Sequence, residues 1–488
     1  MSYRRRGWWF PRGAPGGRPA WEALHGAQGH RASGRSREVS ELLAPLFRPV
    51  LAALFDDRAR LQGILDFQAA LARAHARAGI CSAQAADRIA RFCKAELLDP
   101  ATLAEETARA GNLAIPTISA LTRLVAAEDP EAARAVHRGA TSQDAIDTGF
   151  VLQLRGFLDA LAADLERFSA GLAALADGHR RTAISGRTWL QQAAPTVFGL
   201  KAAGCLDAVE RHAVRLAELR PRLLALQFGG AVGTLGSLDG RGLEVAEALA
   251  RELQLSLPDM PWHAQRDRPA ELAVFLGLLV GTLGKAARDV SLLAQTEIAE
   301  AFEPTAEGRG GSSTMPQKRN PVSAAVALAA AARAPGLVAT LLSAMVQEHE
   351  RGLGGWHAEW ETLPELCLLA AGALRHMVET VEGIELDPAR MRDNIVGAEG
   401  QMFAEAAASR LADRLGTAEA HKLVEKAARR AHSAGRHLRA VLEEDPAARQ
   451  HLSTADLDAI FDVDRAPGVA GAFIDRVLAR RRQRLERR

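Results

Sequence analysis

The sequence predicts an all-α protein of three helical domains around a long central helix bundle. Three observations carry that expectation. Leu154, Leu158, Leu161, Leu165, Phe168, Leu172 and Leu175 alternate spacings of four and three, a heptad seam that a helix turns to one side. Two further stretches, about Thr196–Leu226 and Pro269–Phe302, read as long helices, the second burying Leu272, Leu276, Leu279, Leu283, Val290 and Leu293. Strand signals are weak: the chain has one tyrosine, Tyr3, and few alternating β-branched runs, so only Arg187–Trp189 reads as a short extended piece.

Taken in order, residues 1–39 form an Arg/Gly/Pro-rich extension with no helical or strand period, expected to be disordered. No apolar run follows its arginines, so it does not read as a signal peptide. Residues 40–114 read as an N-terminal helical domain. Leu61, Ile64, Leu65, Leu71 and Ala72 mark one face of a helix that stops near Gly79. Residues 115–364 carry the long bundle, with no proline from Glu131 to Ala194 and only Pro221 to interrupt the second helix. Residues 365–488 complete the chain as a C-terminal helical domain. Helices of about 30 residues exceed the usual 10–14. Their apolar residues occupy more than one face, which implies packing against other subunits.

Composition excludes several classes. The 488 residues are 48% hydrophobic and 25% charged, values of a soluble chain with a sizeable core. The uncharged apolar run Leu272–Gly284 is shorter than the roughly 20 residues that cross a bilayer, so no membrane role is expected. Cys81, Cys93, Cys205 and Cys367 are scattered without a CxxC; that disfavours a zinc finger or disulfide scaffold and fits a reducing cytoplasm. Residues 1–37 hold eight arginines against one acid, Glu22, in a chain of net charge +2, so the remainder is mildly acidic. A nucleic-acid partner is not expected. No strand leads into GxGxxG, which disfavours a Rossmann domain.

Three polar, Gly-rich segments interrupt the helices: His137–Asp144, Gly229–Thr234 and Gly308–Pro321. The third reads Gly-Arg-Gly-Gly-Ser-Ser-Thr-Met-Pro-Gln-Lys-Arg-Asn-Pro. Its glycines let the backbone approach a ligand closely. Its serines offer hydroxyls, and Lys318 is one of six lysines in a chain whose other cations are arginines. Such a loop can wrap a carboxylate, although a bare Gly/Ser segment is more often a solvated linker. His349 and His357 lack the company of a metal-ligand set, so no metal is expected.

Gly311–Pro321 resembles GSSxMPxKxNP, the signature loop of the fumarase/aspartase superfamily, at every fixed position. His137–Asp144 and Gly186-Arg-Thr-Trp-Leu-Gln191 resemble its two other conserved regions, in the expected order, and the likeness runs from about residue 40 to the C-terminus. Within the superfamily, Arg60–Phe67, Gly111–Pro116, Pro261–Asp267, Gln347–Arg351 and Trp356–Trp360 are most similar to a cycloisomerase branch that acts on a carboxylated muconate in protocatechuate breakdown. The resemblance implies a homotetramer with each site shared between subunits, a small tricarboxylate substrate and no cofactor. It implies Ser312 as the base, Ser313 being the weaker choice, with Lys318 and Asn320 stabilising an enediolate. Thr141, Ser142 and Gln143 would bind a carboxylate, or cap the helix that follows, or both. His137 reads equally as a substrate contact and as a structural histidine. Asn112, Thr188, Gln191 and Gln265 would line the site. Arg351 would fork a carboxylate, or else make a salt bridge. Trp189 stands where many superfamily lyases have a histidine, and an indole exchanges no proton near neutrality. Gln192 stands where some cycloisomerases have a histidine. An adenylosuccinate-lyase-like C–N or C–O lyase and an inactive helical scaffold are the alternatives.

Overall fold

A computed structural model describes residues 42–47, 50–312 and 314–487. The extension 1–39 and Ser313 of the polar loop lie outside the described residues. Helix α1, Asp57–Arg77, starts where the Asp56 carboxylate accepts from the Ala59 N–H at 2.7 Å. It stops before Gly79, which turns the chain at a φ of 66°. The five apolar residues expected on one face are all buried. Against this helix pack α2 (Ala83–Phe92), α3 (Pro100–Ala110) and α4 (Ala114–Glu128).

Five long helices share the central core: α5 (Ser142–Gly178), α6 (Phe198–Leu223), α8 (Asp267–Leu293), α9 (Val322–Ser343) and α10 (Gly355–Gly383), with α7 (Gly242–Leu253) set against α1. Helix α5 has 37 residues and spans roughly 55 Å at 1.5 Å per residue. Its heptad leucines face the core from Leu154 to Leu172. Two expected boundaries move. Thr196 belongs to a strand, so α6 begins at Phe198, and Pro221 sits inside its last turn without ending it. Helix α8 ends at Leu293; beyond it Ala299 takes a φ of 53° and the chain extends at Ala301–Phe302 (β3), pairing with Glu385–Leu386 (β4). Helices α9 and α10 are long elements that the sequence reading did not single out. The expected domain boundary between 364 and 365 falls inside α10, at Pro364.

The short extended piece expected at Arg187–Trp189 is one end of a hairpin, β1 (Ala183–Thr188) against β2 (Gln191–Val197). Its two-residue turn, Trp189–Leu190, has φ of 51° and 65°. That turn suits the strand twist but favours Asn-Gly, so no turn signal marked it. Beyond α10, α11 (Ala404–Leu415) and α12 (Thr417–Ser433) organise a separate apolar cluster. The last helix, α13 (Ala470–Glu486), returns to the bundle, where Arg481 and Arg484 bond Glu166 and Glu210.

By length and composition, α8 and α9 could each cross a bilayer. Helix α8 sits mostly within the core; the most apolar window of α9 is only 28% buried.

Burial holds three histidines, His75, His137 and His212, down at about 4. In the unfolded chain each titrates near 6.5. Between those values the unfolded state binds more protons, so stability is full above about pH 6.5 and falls as pH drops towards 4. Thermal melts should show a midpoint that declines steadily from pH 7 to pH 4.5. His75→Leu should flatten that decline; an unchanged slope would remove His75 from it.

Candidate active site

The N-terminus of α5 gathers the first two polar segments. The Asp144 carboxylate is buried and accepts from the N–H groups of Thr141 (3.0 Å), Gly229 (3.0 Å) and Gly230 (2.9 Å) and from Gln227 Nε2 (3.0 Å). Burial pushes this carboxyl up to about 6, with the four N–H donors opposing the rise. Gly230 must be glycine: its φ is 67°, and a Cβ there would lie 2.9 Å from the Gly139 carbonyl oxygen. One carboxylate thus stitches two loops at a helix terminus whose free N–H groups favour an anion.

Arg351 comes to the same place from another part of the chain. Its Nη2 donates to the carbonyls of Ala231 (2.8 Å) and Gly230 (3.3 Å), and its Nη1 to Gln143 Oε1. Among the described residues no carboxylate pairs with it. Its charge is therefore not spent on a salt bridge to any described residue. Thr141 and Ser142 are half-buried beside it at the start of α5. Gln143, expected to bind substrate directly, is fully buried, and its amide is engaged on both ends.

The signature loop is a separate construction. Glu303 accepts from the N–H groups of Ser323 (2.9 Å) and Ala324 (2.7 Å), capping α9 and anchoring one end of the loop. The Asn320 N–H donates to the Gly310 carbonyl at 2.9 Å and closes the loop on itself. Gly310 has a φ of 68°, and a Cβ there would meet the Asn320 carbonyl oxygen at 2.7 Å. Arg319 ties the loop to Glu385 at 3.0 Å, and Arg309 ties it to Glu379 at 3.0 Å. Inside this frame, Ser312 Oγ accepts from the Met315 N–H at 3.0 Å and the Thr314 N–H at 3.4 Å. Two donors aimed at a hydroxyl oxygen stabilise its alkoxide. Asn320 Nδ2 donates to the Gly311 carbonyl at 3.3 Å. Among the described residues the exposed Lys318 side chain has no carboxylate partner. Lys318 and Asn320 border a cavity of about 200 Å³.

The third region stands apart again. Thr188 and Gln191 are the last paired residues of the hairpin and are exposed, as are Trp189 (95%) and Leu190 (80%) at its tip. Just behind the tip the hairpin is held by the buried Glu300, which takes both ends of the Arg187 fork at 2.7 and 2.8 Å. Gln192 donates to the Asn394 carbonyl at 2.8 Å. Asn112 starts α4, accepting from the Ile115 N–H at 3.2 Å. Gln265 is exposed. His137, at a φ of 60°, is bonded through Nδ1 to Gln68 Nε2 at 2.9 Å and is neutral at pH 7. Among the described residues no hydrogen bond or ion pair joins Ser312, Lys318 or Asn320 to the Gln143–Arg351 cluster or to the hairpin tip.

Sequence reasoning missed Asp147, Arg266 and Glu359. Arg266 is 3% exposed and forks to Asp147 (2.7 and 3.2 Å) on one side and to Glu359 (2.9 Å through Nε) on the other. It also lies 4.9 Å over the Trp262 ring. A signal was present. The α5 seam carried backwards from Leu154 runs through Val151 to Asp147, and a like seam on α10 runs Trp356, Glu359, Leu363, Leu366. An acid at a core position of a heptad announces a buried ion pair.

A helical bundle that carries this loop at the head of a long helix is a lyase of the fumarase/aspartase superfamily. The chain belongs to the Lyase family, which matches residues 47–336, and residues 400–477 match the family described as adenylosuccinate lyase C-terminus. It is 57% identical over 429 residues to the 3-carboxy-cis,cis-muconate cycloisomerase of Pseudomonas aeruginosa, covering 88% of this chain and 94% of the relative. With the enzyme of the same name from Bradyrhizobium diazoefficiens it shares 53% over 445 residues, 90% and 99% of the two chains. Among solved structures, the 3-carboxy-cis,cis-muconate lactonizing enzyme of Pseudomonas putida superposes with a TM-score of 0.86 at 50% identity, covering 91% of this chain and 99% of that one. The expected all-α fold is thereby borne out.

Proposed function

We propose that this chain is a cycloisomerase that interconverts 3-carboxy-cis,cis-muconate and a carboxymuconolactone. The observation that carries the reading is Ser312, whose Oγ takes two backbone N–H bonds in a loop that also presents Lys318, which no described carboxylate pairs. In the lactone-forming direction a substrate carboxylate adds across a C=C bond, and the neighbouring carboxylate takes up charge as an enediolate. Lys318 and Asn320 stabilise that dianion, and Ser312 delivers the proton to the α-carbon. In reverse, the Ser312 alkoxide removes that proton and the ring oxygen leaves. Arg351 and the α5 terminus, with Thr141 and Ser142, hold a carboxylate remote from the reacting carbon. Trp189 exchanges no proton, so the acid–base work falls to the loop.

The reading requires the loop, the α5 terminus and the hairpin tip to meet, and among the described residues of one chain no bond joins them. A homotetramer sharing its sites between subunits supplies the meeting. The largely uncovered apolar α9, and Trp189 and Leu190 at the hairpin tip, support such an assembly. A small-molecule enzyme of this kind works in the cytoplasm. EDTA-dialysed protein is expected to consume 3-carboxy-cis,cis-muconate, read as loss of the diene ultraviolet absorbance, and to scatter light as a tetramer. No turnover, or an active monomer, would overturn the reading. The C-terminal match to adenylosuccinate lyase favours a C–N lyase as the second reading; fumarate released from adenylosuccinate would identify it.

A further inference from the structure

Gln143 is fully buried at the head of α5, yet every polar position of its amide is in use. Nε2 spends its two hydrogens on Asp147 Oδ2 at 3.1 Å and the His263 carbonyl at 2.8 Å. Oε1 accepts from Arg351 Nη1. The opposite amide orientation would set an NH₂ against the guanidinium and an oxygen against two acceptors, so the partners leave one choice. Asp147 is fixed in turn by four donors: Arg266 Nη1 and Nη2, Gln143 Nε2 and the Trp356 indole N–H at 3.0 Å. Glu359 holds the other side of Arg266. An unbroken line of hydrogen bonds therefore runs Glu359–Arg266–Asp147–Gln143–Arg351, from inside the bundle to an arginine that no described carboxylate pairs.

We propose that Gln143 is a positioning residue: it does not touch substrate but fixes the Arg351 guanidinium for the substrate carboxylate, with Asp147 setting the direction of its amide. The inference rests on the reading of Arg351 as a carboxylate fork. Two carbonyls, those of Gly230 and Ala231, steady the other side of the guanidinium. Without Gln143 the arginine keeps its charge and loses its aim. Ground-state binding should suffer more than the proton transfer at Ser312, which lies in the separate loop.

A double-mutant cycle tests this. Gln143→Leu in the full-length protein is expected to raise KM for 3-carboxy-cis,cis-muconate about ten-fold or more, as loss of a bond to a charged group does, and to change kcat much less. In an Arg351→Ala background the same substitution should change KM less than about two-fold, because the arginine through which it acts is gone. Gln143→Met, which keeps the length of the side chain and supplies no amide, should reproduce both results and carries the test if the melting curve of Gln143→Leu shows a misfolded protein. Additive effects in the cycle would overturn the positioning role alone, leaving Arg351 as a carboxylate ligand. An Arg351→Ala variant with the parent KM would overturn the reading of Arg351 and this inference with it.

Discussion

Ser312→Ala is expected to lower kcat at least about 100-fold while KM and the melting temperature stay close to the parent values. The hydroxyl removed is half-buried on a loop and accepts two backbone N–H bonds, so its loss takes away a base and little packing. In the proposed mechanism Lys318 and Asn320 remain to bind the carboxylate next to the reacting carbon. The two variants to compare are Ser312→Ala and Lys318→Met. Loss of one preorganised charge stabiliser typically costs about 10²–10³ in rate, so Lys318→Met should fall in the same range. Near-parent turnover by Ser312→Ala would remove this serine from the mechanism, and circular dichroism on both variants separates chemistry from folding.

Arg266→Met is expected to destabilise the protein by about 3–5 kcal/mol, the cost of breaking a buried ion pair from one side. Its partners Asp147 and Glu359 are 6% and 7% exposed, so both carboxylates would be left without their cation. Arg266→Lys should recover little, because one ammonium cannot fork to two acids as a guanidinium does. Changing all three together, Arg266→Met with Asp147→Asn and Glu359→Gln, should recover most of the loss, since no buried charge then remains. The midpoint of chemical unfolding reads all of these. An Arg266→Met midpoint equal to the parent's would mean that water reaches the network and the triad is not buried in solution.

Periodicity was legible wherever one face alone decides. The α5 seam and the face of α1 were read residue by residue because a helix that buries one stripe must repeat it. Helix α9 escaped the same reading: its Ala-rich stretch, Val322–Arg333, is apolar all round and shows no seam. The hairpin escaped because its turn is Trp-Leu, two residues that seldom adopt the positive φ both take here. The domain boundary expected between residues 364 and 365 falls within α10, which continues through Pro364 to Gly383.

By itself the sequence determined the fold class, the family and the chemistry-bearing loop, because each is written in contiguous residues: a spacing of three and four, or an eleven-residue motif that matches at every fixed position. Only the tertiary structure decided which polar residues face a ligand and which face each other. Gln143 and Ser142 are neighbours in one motif, yet one turns wholly inward to Asp147 and Arg351 while the other stays half-buried at the helix end. Arg266 adjoins the exposed Gln265 and lies between acids 119 and 93 positions away. In the first case the helix turns successive side chains about 100° apart, so adjacent residues meet different surroundings; Gln265 and Arg266 precede a helix, and only the fold aims one of them inward. Whether a charge is solvated or paired depends on packing partners that are distant in sequence.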